Sequence, residues 1–571
     1  MQKSHSKSSV KLRVIDFFCG AGGFSEGFRQ QGFEIIMGID KWQPAIDTHN
    51  LNHRLKDSIK DILRFWNNDS SNVSEIEALP DSEFIIGSPS CISFSMANNA
   101  GKADKTLGLK LIETYLRIIA VKKYKKNSIL KGWLMENVPK SKEFMKKEYS
   151  FEDLNLALWA KNNNKSPESI AIIIQGEILN AGDYGAPQER KRFVVGEWVK
   201  TGEFLFPKKT HENHTKSSEV RSKMPKPNLN KLSQSWTDPH YPNLILKTKE
   251  ITDHFYDTGL YEIEWEKAEY LKTNHPFMGK MSFPENEDRT CRTIIATRSG
   301  ITREPIIYKS EYNRTGNGEY RLPTIREIAS LMGFPYVYQF VGSEGTKWRQ
   351  IGNAVCPHMS AALAKTFRSK LGLEEIKVKN IDFDSLKENY NKINNLNSFK
   401  EKKFDTPKKR KKNALFRRHP LKSGNMTVDL MNYHPIQKKD VAENWYVSTF
   451  FGTGDDHAIK ILEKTDLINI ENLLKNNFSK FNLFKEEIMG HITCKTKLQK
   501  AYEEDLLLND RNNPLKIVKG LANTIQAYVN KNELVTIDGF FPKNNIPLCQ
   551  LMAMYGLLTL IYSNLIPTTY E

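Results

Sequence analysis

Two rhythms of apolar and polar residues run through the first two hundred positions. Short, nearly unbroken apolar runs occur at VIDFF (14–18), EIIMGID (34–40), FIIG near Phe84, WLMENV near Trp133, AIIIQ near Ala171 and RFVVG near Arg192. Between them the chain falls into helical spacing, as through Phe24, Phe28 and Gln31 after the first run. Apolar runs bounded by turn residues predict buried strands, and strands alternating with helices predict a mostly parallel α/β sheet with helices on both faces. Such a sheet carries its chemistry at the carboxyl ends of its strands.

After Glu197 the rhythm breaks. From about 200 to 320 the chain is rich in Lys, Asn, Pro, Ser and Thr, with short apolar fragments and no helical period, which predicts an irregular inserted domain over 199–320. Helical pattern returns in RLPTIREIASLMGFP (321–335) and IGNAVCPHMSAALAKTF (351–367). The first domain is therefore expected to comprise 11–198 and 321–372, preceded by a polar, disordered N-terminus over 1–10. A basic linker is expected over 373–424, because 399–422 alone carries eleven Lys or Arg against two acids. A separate C-terminal globular unit follows over 425–571. Its apolar run CQLMAMYGLLTLIYSNLI (549–566) is short for a membrane span and contains Gln550 and Asn564, so a buried helix is the better reading.

Composition narrows the partner. A net charge of +17 favours a polyanion, nucleic acid before an anionic membrane surface. The six cysteines are scattered without a Cys-x-x-Cys pair, which argues against a zinc site or a disulfide framework. No secretory pattern opens the chain, and a soluble, cytoplasmic protein without membrane attachment is expected.

Three stretches carry candidate chemistry. In DFFCGAGGFSEG (16–27) a strand enters a glycine turn and then a helix, a cradle for a nucleotide-like ligand, with Asp40 at the end of the next strand placed to bind ribose hydroxyls. The dinucleotide fingerprint fails, because Ser25 stands where its third glycine belongs, so a cofactor without a pyrophosphate fits better; Phe18 could stack on an adenine. In GSPSCISFS (87–95), Cys91 follows a strand on a turn-rich loop; alone it reads first as a buried thiol, with an activated nucleophile as the alternative. Glu136, after the apolar WLM, falls in the same row of strand ends and suits proton donation. In APQERKRFVVG (186–196), Arg190 and Arg192 lie two apart at a strand start, so alternation lets both point at one site.

The ordered series DxFxGxGG, a Pro-x-Cys loop followed by Phe-Ser, ENV, QxRxR, RLPTIREIASLMGFP and IGNAV resembles the cytosine-C5 DNA methyltransferase family, over about 11–371. The resemblance implies a Rossmann-like, S-adenosylmethionine-dependent methyltransferase sheet with a target-recognition insert, leaving the C-terminal domain without an assigned role. It implies Cys91 as nucleophile, Glu136 as its acid partner, and Arg190 and Arg192, supported by Gln188, as holders of the target base. Phe18, Gly20, Gly22, Gly23, Asp40, Asp61, Ile62, Pro89, Leu107 and Asn353 are the implied contacts to S-adenosylmethionine, with no metal. Within the insert, Thr297, Arg298 and Arg303 are candidates for DNA contact. The implied activity is methylation of C5 of a flipped cytosine in double-stranded DNA, in a restriction–modification system with a cognate endonuclease as candidate partner. The alternatives are tRNA as substrate, or an inactive DNA-binding homologue. The family's usual loop is Pro-Pro-Cys-Gln; here Ser90 and Ile92 flank the cysteine.

Overall fold

The computed structural model describes residues 12–562 except 67–69, 91–104, 230, 232, 275–279, 391–400, 405–417, 424–425, 435–438, 441–444, 452–457, 490–497, 500, 503–511, 530–532 and 538–544. The chain divides into two compact units, Met1–Lys402 and Lys403–Glu571.

In the first unit the predicted runs become β1 (Arg13–Phe17), β2 (Glu34–Ile39), β3 (Phe84–Gly87) and β4 (Gly132–Asn137). Helix α1 (Gly23–Gln30) joins β1 to β2, α2 (Gln43–His53) and α3 (Ser70–Ala78) lie between β2 and β3, and α4 (Lys105–Tyr124) precedes β4. Residues 148–150 and 170–173 form a short antiparallel ribbon, β5 (Glu148–Ser150) with β6 (Ile170–Ile173). Strands β7 (Gly176–Asn180) and β8 (Lys191–Trp198) complete a six-stranded sheet of order β2-β1-β3-β4-β8-β7. The first four strands are parallel, while β8 runs antiparallel to β4 and β7 antiparallel to β8.

Here the apolar-run reading needs a correction. AIIIQ does not enter the main sheet; the edge position belongs to GEILN, in which only Leu179 is buried. An edge strand needs little hydrophobic surface, so its sequence gives a weak signal.

Strand residues alternate between two cores. Val14, Phe84 and Ile86 face one core with Phe24 and Phe28 of α1 and Phe367 of the helix Pro357–Lys370. Ile15, Ile85 and Trp133 face the other, against Ile112, Tyr115 and Ile119 of α4. Each layer removes a continuous apolar face from water, at roughly 25 cal/mol per Å².

The insert is less independent than its texture suggests. Tyr241, Leu244, Ile251, Phe255 and Ile294 are buried in the same core as α1, and only a small cluster of Leu260, Ala268 and Ile307, joined by Leu322 just past the insert, packs apart from it. It also contains a helix, Glu262–Thr273, that the pattern did not announce, since only Ala268 and Lys272 on it are buried. The segment expected as linker is structured at both ends: Ile381, Phe383 and Leu386 pack into the first unit's core, and Arg418–Ser423 is a strand of the second unit. The basic run at 408–412 lies outside the described residues.

The second unit is a four-stranded antiparallel sheet, Arg418–Ser423, Met426–Met431, Tyr446–Phe451 and Ala458–Leu462, with helices packed on it. The apolar run near the C-terminus forms the helix Leu548–Tyr562, buried around nearly its whole circumference. That all-round burial is why it resembles a membrane span. Among the described residues, no helix is long and apolar enough to cross a membrane.

Candidate active site

Beyond β1 the backbone turns sharply: Phe18, Gly20 and Gly22 have φ of 56°, 52° and 83°. Glycine adopts such values freely, whereas Phe18 pays a steric cost to do so. At Gly23, which opens α1, the missing side chain permits a close approach. A β-carbon there would lie 2.1 Å from the carbonyl oxygen of Val355, in the IGNAV motif. Both partners are backbone, so neither can swing aside. Gly23→Ala is therefore expected to destabilise the first unit by about 3 kcal/mol. Thermal unfolding of the full chain checks this; an unchanged transition would mean the contact is slack.

Asp40, half-buried just past β2, ties the turn down. Its carboxylate accepts hydrogen bonds from the backbone N–H of Gly20 at 3.1 Å and of Trp42 at 2.9 Å. Burial raises its carboxyl pKa against these donors. The two bonds use half of the lone-pair sites of a carboxylate, leaving acceptors for hydroxyl groups. The N–H of Lys60 donates to the Asp40 carbonyl at 2.9 Å and brings Asp61 alongside. Asp61 is exposed and caps a short turn by accepting from the Leu63 N–H at 3.0 Å, whereas Ile62 points into the core. Asn353 is exposed at the end of the helix Glu344–Asn353, two residues before Val355. Leu107 is exposed in the first turn of α4.

Ser25 has a purpose the sequence did not reveal. Beneath the turn its hydroxyl donates to buried Asp16 at 2.7 Å and lies 3.0 Å from His49 Nε2. Burial, opposed by the Ser25 hydrogen bond, pushes the Asp16 carboxyl up to about 8. The hydroxyl that breaks the dinucleotide fingerprint is the centre of a buried polar network.

A second group gathers at the ends of β1, β3 and β4 and the start of β8. Glu136, buried near the end of β4, is paired with Arg192, whose Nε lies 2.8 Å from Oε1. The Ser88 hydroxyl donates to Glu136 Oε2 at 2.6 Å, and the Ser88 N–H donates to the Phe17 carbonyl at 3.1 Å. Asn137 Nδ2 donates to the carbonyl of buried Pro89 at 3.0 Å. Cys91 and Ile92 lie outside the described residues; Ser90 is the last described position before them.

The two arginines part company. Arg192 meets Glu136, but Arg190 is almost wholly buried, its guanidinium donating to the carbonyls of Ile294 at 3.1 Å, Gly352 at 3.0 Å and Ala354 at 2.8 Å. Alternation put both on one face; what it could not show is that the IGNAV backbone packs over the first of them. Gln188 likewise supports the chain rather than the arginines, accepting from the Ile294 N–H at 2.9 Å. Of the insert's DNA-contact candidates, Thr297 is exposed, Arg298 is paired with Glu344 at 2.8 Å and Arg303 is buried.

The sequence profile of the family described as C-5 cytosine-specific DNA methylase matches residues 12–369. Type II methyltransferase M1.HphI of Haemophilus parahaemolyticus is 26% identical over 379 residues, 62% of this chain and 86% of that protein. Type II methyltransferase M.MthTI of Methanothermobacter thermautotrophicus is 27% identical over 378 residues, 63% of this chain and 98% of its own. Among solved structures, the Entamoeba histolytica methyltransferase EhMeth aligns with 63% of this chain and 99% of its own, at 18% identity and a TM-score of 0.41. The profile match takes in the glycine turn, the Glu136 strand end and the IGNAV wall, and the chain belongs to this family as a DNA cytosine-5 methyltransferase.

Proposed function

We propose that this DNA cytosine-5 methyltransferase acts through a covalent Cys91 adduct on a cytosine turned out of double-stranded DNA. We further propose that it serves as the modification partner of a cognate restriction endonuclease, as the type II names of its relatives suggest. The observation that carries the mechanism is the Glu136–Arg192 pair, held at a strand end beside the loop that leads to Cys91.

Cytosine C5 is a weak nucleophile. Addition of the Cys91 thiolate to C6, with Glu136 protonating or hydrogen-bonding N3, moves electron density to C5 and makes it enamine-like. S-adenosylmethionine supplies an electrophilic methyl group to that carbon. A base, directly or through water, then takes the C5 proton, and the electron pair left behind expels the Cys91 thiolate. Arg192 fixes the acid, and Arg190 fixes the IGNAV wall behind it. None of this reaches a base inside a duplex, so the nucleotide is extruded, with the excess positive charge of the chain holding the backbone.

The residues at the turn fit the methyl donor. Asp40 keeps acceptor capacity for ribose hydroxyls, and a β-carbon on Gly20 would have only the Phe18 carbonyl within 4 Å, at 3.9 Å, so space is open on that side. Phe18, Gly20, Gly22, Gly23, Asp40 and Asp61 would line one end; Ile62, buried in the core, would shape the floor rather than touch from the surface. Pro89, Leu107 and Asn353 complete the assignment.

Bisulfite sequencing of host DNA expressing the chain tests the proposal. Protected cytosines within one short sequence are expected, and complete conversion throughout would overturn it. Glu136→Gln is expected to slow methyl transfer about 10²-fold.

A further inference from the structure

We infer that Ser88 is a positioning residue for Glu136. The inference rests on the proposed role of Glu136 and deepens it.

Rotation about the last torsion of a glutamate side chain is broad, so a single anchor leaves the carboxylate plane free to turn. Here the two oxygens are held from opposite partners, Oε1 by Arg192 Nε at 2.8 Å and Oε2 by the Ser88 hydroxyl at 2.6 Å. A hydroxyl donating to a charged oxygen at that distance is among the stronger hydrogen bonds a side chain makes. Ser88 is itself fixed: its N–H is bound to the Phe17 carbonyl at the end of β1, and the next residue, Pro89, is held through its carbonyl by Asn137.

The consequence is geometric. The carboxylate that must meet the ring nitrogen is fastened to the stem of the loop that carries the nucleophile, across 48 residues of chain. One bond thereby ties the acid to the start of that loop. A serine in this place suits the task because its oxygen can donate to a carboxylate and accept from a carboxylic acid, so the link survives both states of Glu136. Losing it frees the plane of the acid, an effect on the reacting complex rather than on the affinity for DNA.

The test is single-turnover methyl transfer by the full chain, on saturating duplex DNA with S-adenosylmethionine, comparing Ser88→Ala, Ser88→Thr, Glu136→Gln and the Ser88→Ala/Glu136→Gln pair. Ser88→Ala should react about tenfold more slowly, at an unchanged Kd for DNA read by a separate titration and an unchanged thermal transition. Ser88→Thr, which keeps the hydroxyl, should restore the rate. In the Glu136→Gln background, Ser88→Ala should slow nothing further. A wild-type rate for Ser88→Ala beside a slow Glu136→Gln would overturn the inference and leave the reading of Glu136 standing. A wild-type rate for Glu136→Gln would overturn that reading itself, and the inference with it. An equal tenfold loss in both backgrounds, or no rescue by threonine, would mean that Ser88 acts otherwise than by holding the acid.

Discussion

Replacing Cys91 with alanine is expected to lower the rate of methyl transfer by at least about 10⁴-fold. Without addition to C6 the ring keeps its aromatic electrons, and C5 stays a weak nucleophile. Among the described cysteines, Cys19, Cys291 and Cys356 are buried, and burial pushes each thiol above its ordinary pKa, so none is a thiolate at neutral pH. Cofactor binding should be unchanged, because the glycine turn is built from β1, β2 and the IGNAV segment. A duplex with 5-fluorocytosine at the target gives a second measurement. Fluorine replaces the hydrogen that must leave, so the adduct persists after methylation. The wild-type chain should form a species that survives denaturation and Cys91→Ala should form none. A variant retaining a few per cent of the rate, or the trapped species, would remove Cys91 from the mechanism.

The second large effect concerns the joint between the insert and the helix Ile325–Met332. Arg321, fully buried, donates to Glu327 at 2.7 and 2.8 Å and to Glu311 at 2.5 and 2.6 Å. Arg221 reaches Glu287, Glu311 and Glu327 from the insert and lies 3.6 Å from the centroid of the Tyr308 ring. Glu327 also closes a capping box, accepting from the Thr324 N–H at 2.8 Å. Glu327→Ala removes one of the two carboxylates that both arginines share and leaves Arg321 with a half-paired charge. The expected cost is about 3–5 kcal/mol. Thr324→Ala, which removes the cap and the hydrogen bond to buried His254 but leaves the ion pairs, should cost about 1–2 kcal/mol. The pH dependence follows from the direction of the shift. Burial alone would raise the Glu327 carboxyl, but Arg321 and Arg221 outweigh it and hold the group well below the usual carboxylate range. A depressed carboxyl stabilises the fold above its unfolded value, about 4.3, and loses that contribution as pH falls further. The gap between wild type and Glu327→Ala, read by calorimetry, should therefore be full at pH 7 and shrink below about pH 4. A gap independent of pH would mean that packing, not the ion pairs, carries the loss.

Much of the fold was legible because buried parallel strands must be apolar. VIDFF, EIIMGID, FIIG and WLMENV had no other reading, and their glycine and proline neighbours marked the turns. GEILN was illegible for the same reason in reverse: an edge strand buries one side chain. The helix Glu262–Thr273 shows too little apolar surface to betray its period. In the site, spacing marked Glu136 as a strand end and Arg192 as a strand start, and the two meet because β8 runs antiparallel to β4, which a mostly parallel sheet does not foretell. Spacing could not distinguish Arg192 from Arg190, since what separates them is a backbone segment more than 150 residues later in the chain. Ser88 gives no signal in the sequence, because a serine in a turn usually bonds nearby backbone.

The contact of Gly23 with Val355 also has a consequence for how the chain is made. Residues 18–40 leave the ribosome early, yet the wall they rest on is encoded more than 300 codons later. Contacts of such separation are slow to form, and a nascent chain keeps its partners exposed until then. A messenger cut short before the IGNAV codons would yield strands and glycine turn without the surface that closes them. The glycine turn thus closes only once nearly the whole first unit has been translated.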